Sequence, residues 1–445
     1  MKAMRKRYLI LTAAALTSIL IGGCSKIKYY DVISKTDTVE LRLCWNWANT
    51  GTKAATLREI TDNYLKRNQN VSIKNEYSGD DTFYQKLQID FASQNAPDII
   101  SMRPGNIIYN LMSKHRLADL SELYAQNTAL RNTVKQSAIQ AVSQNGGIYG
   151  IPLEERYIFL YLNNDIFKFC NAEIPTTFAE LETAIAKIKE KRFIPIAYSP
   201  SDDNLLYQVI VGSLGGRDIA ADSENGALNA AFSDGLDYLK RLYTLGAFSN
   251  DCLTSTSHEQ DLLFMNKKAA MIVRDSSFPG MLDDAHPEVG APDSAAGSEY
   301  SSFMAVNFPQ SRNFYIGGNK ANINSYIKGL GDAAFFASAD AYASEVKRGA
   351  VSDLLLYFAN DDNVSLMMRN SKFIPAVTTA PDPEYYTPLI TQINLELVNA
   401  HLFIDMPERV VSESVWNKTL SEKIPALCLG KVDSAEIIRA LGTAE

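Results

Sequence analysis

Residues 39–77 constrain this chain more than any other stretch. Val39, Leu41, Leu43, Trp45 and Trp47 alternate with Glu40, Arg42, Cys44 and Asn46. A period of two over nine residues predicts a strand with one apolar face. Ala48-Asn49-Thr50-Gly51 turns the chain, Leu57, Ile60 and Tyr64 recur at helical spacing up to Arg67-Asn68, and Val71 to Tyr77 is a second strand. Strand, helix, strand predicts a parallel pair joined by a right-handed crossover, and so an α/β fold. The ligand crevice of an open α/β sheet lies beyond the carboxyl ends of its strands. That rule puts Trp47 at the end of the first strand and Asp80 and Asp81 at the end of the second. Trp45, on the apolar face, is predicted to be core. Trp47 is placed for either core or cleft wall, where an indole face suits the C–H face of a pyranose.

The 445 residues are 46% hydrophobic and 21% charged, an ordinary globular balance with room for two or three domain-sized units. The formal charge of −8 argues against a nucleic-acid partner, which needs a basic face. Lys2, Arg5, Lys6 and Arg7 precede an apolar run from Tyr8 to Ile21, then Gly22-Gly23-Cys24. This predicts a cleaved secretory signal rather than a spanning helix. Small residues directly before a cysteine resemble the lipobox of bacterial lipoproteins, which implies that the Cys24 thiol carries a diacylglyceryl anchor. Residues 1–23 hold four basic and no acidic side chains, so cleavage takes the chain from −8 to about −12. Residues 24–38 then form a lipidated tether. Cys44, Cys170, Cys252 and Cys428 allow three pairings or free buried thiols, and spacing does not choose. The four histidines are scattered and no Cys-x-x-Cys pair occurs, so neither a metal site nor a cofactor is expected.

Further along, Thr82 with Gln85 fits a capping box before Phe83, Leu87 and Phe91 at helical spacing. Pro97-Asp98-Ile99-Ile100 opens a third strand, which delivers Met102 and Arg103 to the crevice end. Gly146-Gly147 and Gly150 punctuate a turn. Ile158 to Leu162 is an apolar, aromatic run that predicts a buried strand, where the chain leaves one lobe for another. Thr177 and Glu180 cap a helix with Leu181, Ile185 and Ile188 on its buried stripe. Pro195-Ile196-Ala197 is a strand. A helix ending near Asn266 hands over to a strand at Ala269. Ala333 to Ala337 is a strand and Val351 to Phe358 a helix returning to the first lobe. Asp433, with Glu436, caps the last helix.

Several of these motifs, in this order, resemble the family 1 extracellular solute-binding proteins, the sugar-capturing lipoproteins of ABC importers similar to maltose-binding proteins. They are Tyr149-Gly-Ile-Pro152 followed by Leu160-Tyr-Leu-Asn-Asn-Asp165, Pro175-Thr-Thr-Phe-Ala-Glu180, Phe264-Met-Asn-Lys-Lys-Ala-Ala-Met271 and Leu429-Gly-Lys-Val-Asp-Ser-Ala-Glu436. The resemblance implies a type II periplasmic-binding-protein-like fold of two hinge-connected α/β lobes with the ligand cleft between them. It places lobe 1 at 39–153 plus about 308–362, and lobe 2 at about 154–307 plus 363–445. Further crossings are expected at Val306-Asn307-Phe308-Pro309 and Phe373-Ile374-Pro375-Ala376. By matched position it implies ligand contacts from Trp47, Asp80, Asp81, Arg103, Glu154, Arg156, Tyr157, Asp275, Ser277 and Phe278. Phe278 stands where the family often has a ligand-facing Trp. The implied partners are a saccharide, permease subunits of an ABC transporter, and the membrane through the lipid anchor. A monomer on the outer face of a Gram-positive cell membrane is expected.

Glu154-Glu155 invites a glycosidase reading. Adjacent strand residues point to opposite faces, however, so the pair cannot flank one bond. No nucleophile elbow or phosphate loop occurs. A solute-sensing lipoprotein serving a membrane kinase, and a binder of peptides, iron or polyamines, are the alternatives.

Overall fold

The computed structural model describes residues 38–45, 51–77, 81–215, 227–285, 302–311, 314–316, 319–321, 324–406 and 422–442. The chain opens with β1 (Val39–Trp45), α1 (Gly51–Arg67), β2 (Val71–Tyr77), α2 (Asp81–Ala92) and β3 (Ile99–Ser101). β1 runs parallel to β2, from Val39 opposite Val71 to Trp45 opposite Tyr77, and parallel to β3 on its other side. The predicted crossover unit is therefore present. Helix α2 begins at Asp81, one residue before Thr82, so Thr82 lies inside the first turn and is not its outer cap. Short helices lead to β4 (Gly150–Pro152) and then to β5 (Glu154–Asn163).

β5 is the spine of the second lobe. All ten residues are buried, because sheet and helices cover both faces and the usual alternation is lost. It is longer than the predicted Ile158–Leu162 run for the same reason: Glu154, Glu155 and Arg156 hide the apolar signal while remaining in the strand. Helix α3 (Phe178–Glu190), β6 (Ile194–Ala197), α4 (Asn204–Ser213), α5 (Ala227–Thr244), α6 (Ser257–Met265), β7 (Ala269–Asp275) and α7 (Phe278–Ala285) follow. The Thr177–Glu180 capping box is complete, with bonds in both directions. The helix-to-strand change at Met265 and Ala269 falls where predicted. β8 (Phe303–Val306) and β9 (Ser325–Leu330) both pair antiparallel with β5.

The chain regains the first sheet only at β10 (Ala334–Ala337), which inserts between β3 and β4 to give the order β2-β1-β3-β10-β4. Helices α8 (Arg348–Phe358) and α9 (Asp361–Ser371) pack in the first-lobe core with Val364, Met367 and Met368. β11 (Ile374–Pro375), α10 (Pro388–Val398), β12 (Leu402–Asp405) and α11 (Ser434–Gly442) then return to the second lobe. Its main sheet runs β12-β9-β5-β7-β6, with β8 and β11 also on β5. Asp433 caps α11 through the Glu436 N–H at 2.8 Å.

One expectation changes. Val306 is not at a crossing, since it pairs with Leu160 within the second sheet and Asn307 Nδ2 bonds the Ser325 carbonyl. The return lies at residues 331–333. The returning segment on the first-lobe core therefore begins near 331, includes α9, and reaches Val377 and Tyr385. The crossing at Phe373–Ala376 is present: Ile374 lies opposite Glu155 and Pro375 opposite Glu154.

Cys44, Cys170, Cys252 and Cys428 are free and buried. Burial pushes the Cys44 and Cys252 thiols up to about 11 and the Cys428 thiol up to about 12, which removes them as nucleophiles.

Candidate functional site

Three crossing segments lie side by side at Leu153. Its N–H donates to the Ala333 carbonyl at 2.8 Å, and its carbonyl accepts from the Ala376 N–H at 2.8 Å. Two adjacent carboxylates bind them on opposite faces, as strand geometry requires. Glu154 accepts from the Ala333 N–H at 3.1 Å and lies 3.7 Å from the Lys53 ammonium. Glu155 takes Lys135 at 2.7 Å and Lys328 at 2.8 Å, and the Tyr157 hydroxyl at 3.1 Å. Lys135 also donates to the Pro375 carbonyl at 2.7 Å, so this cluster holds the third crossing. Burial dominates at Glu154 and pushes its carboxyl above the ordinary range. Burial also opposes Glu155, but Lys135 and Lys328 outweigh it and hold that carboxyl low.

Gly331 has a steric reason to be glycine. A Cβ there would stand 2.2 Å from Glu154 Cδ. Gly331→Ala is expected to cost about 1–3 kcal/mol through overpacking. Urea unfolding measures this, and a midpoint equal to the native protein would show that the Glu154 side chain yields without strain.

Beside the crossings lie two cavities that share Arg103 and Arg156. One, of about 330 Å³, adds Asp202, Asn204 and Tyr207 from the start of α4, Asp261 from α6, and Arg274 and Asp275 from β7. The other, of about 350 Å³, adds Tyr109, Gln140, Lys328 and Asp405. Both fall within the range of small-molecule sites. Arg156 Nε donates to Asp275 Oδ2 at 2.9 Å and Nη2 to Asn204 Oδ1 at 2.8 Å. Arg274 pairs with Asp261 at 2.6 Å and with Asp202 at 2.9 Å. Ser277 donates twice to Asp275 Oδ1, from its N–H at 2.9 Å and its hydroxyl at 2.6 Å. Burial alone would raise the Asp275 carboxyl, but the Arg156 guanidinium and the Ser277 bonds outweigh it and hold it well below the usual range. The walls are thus fixed donors and acceptors, each held in place before any ligand arrives.

Of the residues expected at the site, Arg103, Arg156, Asp275 and Ser277 meet at the first cavity. Phe278 touches its wall but is only 1% exposed. Its ring is wedged between Tyr161 at 5.1 Å and Phe264 at 5.8 Å, so it supports the loop and offers no stacking face. Glu154 and Tyr157 are corrected as well: Glu154 belongs to the crossing, and Tyr157 packs on Phe403 at 5.5 Å. Neither lines the cavities. Trp47, Asp80 and Cys24 lie outside the described residues, as does the Asp81 side chain. Asn204, Tyr207, Asp261, Tyr109 and Lys328 were missed. Asn204 opens α4 and Tyr207 lies in its first turn, while Asp261 sits midway along α6, Tyr109 within a short helix and Lys328 in β9, each in a local sequence that announces only its own element.

The family model for bacterial extracellular solute-binding proteins matches residues 59–391. A curated multiple sugar-binding protein of Streptococcus mutans is 25% identical over 200 residues, which span 44% of this chain and 44% of that protein. A chitin oligosaccharide binding protein superposes with a TM-score of 0.77 at 19% identity, over 91% of this chain and 97% of its own. A structure from work on xylan utilisation by the thermophilic bacterium Caldanaerobius polysaccharolyticus superposes with a TM-score of 0.75 at 24% identity, over 92% and 100%.

Proposed function

The chain belongs to the bacterial extracellular solute-binding proteins, and from that premise we propose that it captures a carbohydrate, a mono- or oligosaccharide, between its lobes and delivers it to the permease of an ABC importer. One observation carries the choice of solute: the cavity's guanidinium groups Arg156 and Arg274 are already matched by Asp275, Asp261 and Asp202. An anionic solute would meet guanidinium groups already engaged by carboxylates and would have to displace them while paying for its own desolvation. A neutral polyol loses little. Its hydroxyls can donate to Asp275 and Asp202 while accepting from Arg156, and the half-buried Tyr109 supplies ring surface. The printed names of the sugar-binding relatives point the same way.

Members of this family work outside the cytoplasm and bind rather than transform their solutes. Among the described residues no helix is long and apolar enough to cross a membrane. Gly22-Gly23-Cys24 supports a lipid anchor at Cys24 on the outer face of a Gram-positive cell membrane, with the protein a monomer.

A thermal-shift screen of the mature chain against a saccharide panel tests this, with amino acids, polyamines and metal ions as controls. A ligand that binds only the folded state raises the melting temperature, by about 2.7 kcal/mol of stability at a hundredfold excess over Kd. We expect a shift with one class of saccharide. A shift with a control alone would overturn the solute class.

A further inference from the structure

We propose that Lys53 is a latch between the lobes: its ammonium, carried by the first lobe, holds the second-lobe side of the hinge when the cleft closes on its solute. The proposal deepens the solute-capture reading and rests on it for the ligand alone. Lys53 sits near the start of α1, beyond the carboxyl end of β1, so it belongs to the first lobe. It lies 3.7 Å from Glu154 Oε1, at the head of the second-lobe spine, and its side chain is 22% exposed. Burial works against the ammonium, but Glu154, Asp332 and Asp275 together outweigh it and keep it charged. These three carboxylates come from the first crossing, the second crossing and the second-lobe cleft wall. One first-lobe cation therefore sits where acids from two crossings and from the second-lobe cleft wall converge.

The carboxylate it grips cannot swing away. Glu154 accepts the Ala333 N–H at 3.1 Å, the Gly331 N–H bonds the Glu154 carbonyl at 2.9 Å, and any Cβ at 331 would collide with the carboxyl group. Asp332 is fixed as well, since its Oδ1 accepts the Arg103 N–H at 3.1 Å and its carbonyl accepts the Ser101 hydroxyl at 2.9 Å. A solute that covers Asp275 removes water from the cluster, and removing water strengthens the attraction of Lys53 for it. Binding and closure are thereby coupled through a residue that lines neither cavity.

The test compares Lys53→Met and Lys53→Arg in the full chain. Calorimetry with the saccharide found in the screen gives affinity, and small-angle scattering gives the radius of gyration with and without it. Lys53→Met is expected to weaken binding at least about tenfold and to lose most of the ligand-induced compaction, and Lys53→Arg to restore both. Native affinity and native compaction in Lys53→Met would overturn the latch. Should Lys53→Met fold poorly, the Lys53→Gln/Glu154→Gln pair removes both charges and carries the same expectations. If the native protein binds no saccharide, the solute reading fails separately. The latch is then judged with whichever control solute raises the melting temperature, on the same two readouts, and is overturned if Lys53→Met matches the native protein.

Discussion

Arg156→Ala is expected to abolish detectable solute binding and to cost about 3–5 kcal/mol of stability. The side chain is 8% exposed and bonds Asp275 on one side and Asn204 on the other. Truncation leaves the half-buried Asp275 carboxylate without its guanidinium and removes one of the two donors shared by both cavities. Titration calorimetry checks the first effect and urea unfolding the second. Binding within about threefold of the native value would remove Arg156 from the site. The pH dependence separates this account from a simple packing loss. In the native protein Asp275 has a depressed pKa, so its contribution is complete above the ordinary carboxylate value and is lost as pH falls through the folded one. In the variant the buried carboxylate has lost its cation, its pKa rises, and protonation relieves it. The stability gap between the two proteins should therefore begin to narrow as pH falls through the variant's raised carboxyl pKa, above the ordinary carboxylate value, and keep narrowing into acid.

Trp45→Ala is expected to cost a further class of stability, about 3–5 kcal/mol, with no direct contact to the cavities. The indole is fully buried at the carboxyl end of β1. Its edge meets Phe335 of β10 at 6.2 Å and Phe358 of α8 at 5.8 Å, and its N–H donates to Asn75 Oδ1 at 3.2 Å. Phe335 and Phe358 belong to the segment that returns after the second crossing, so Trp45 joins early and late parts of the first lobe. Circular dichroism during thermal unfolding measures the change, expected as a fall of roughly 10 °C. A loss below about 1 kcal/mol would mean that the surrounding rings close over the cavity.

Trp45 also shows what was legible from residue order. Strand alternation decides which face a side chain takes, and that rule placed Trp45 in the core. Caps are equally local: Thr177 and Glu180 exchange both bonds of the capping box, as two residues three apart can announce. Sheet membership is not local. Val306-Asn307-Phe308-Pro309 has the same apolar-then-proline look as Gly150-Ile-Pro152, yet Val306 finds its partner in Leu160, far back along the chain. Nothing within four residues encodes that choice. Phe278 was ambiguous for another reason. An aromatic ring at the right position can face the cleft or the core, and Tyr161 and Phe264 provide a close-fitting apolar slot that wins. The polar wall from Asn204 and Asp261 was hidden because an asparagine that opens a helix and an aspartate within one are both ordinary.

The place of β10 in the first sheet has a consequence for how the protein comes into being. Strands β3 and β4 are joined only through Ala334–Ala337, so that sheet stays split until about three-quarters of the chain is available. Loop closure over such separations is slow, and local helices form long before it. A chain emerging from either end of a narrow conduit could not complete a lobe on the way. It would remain unfolded through passage and fold only once released, which is the order of events that export in an unfolded state requires.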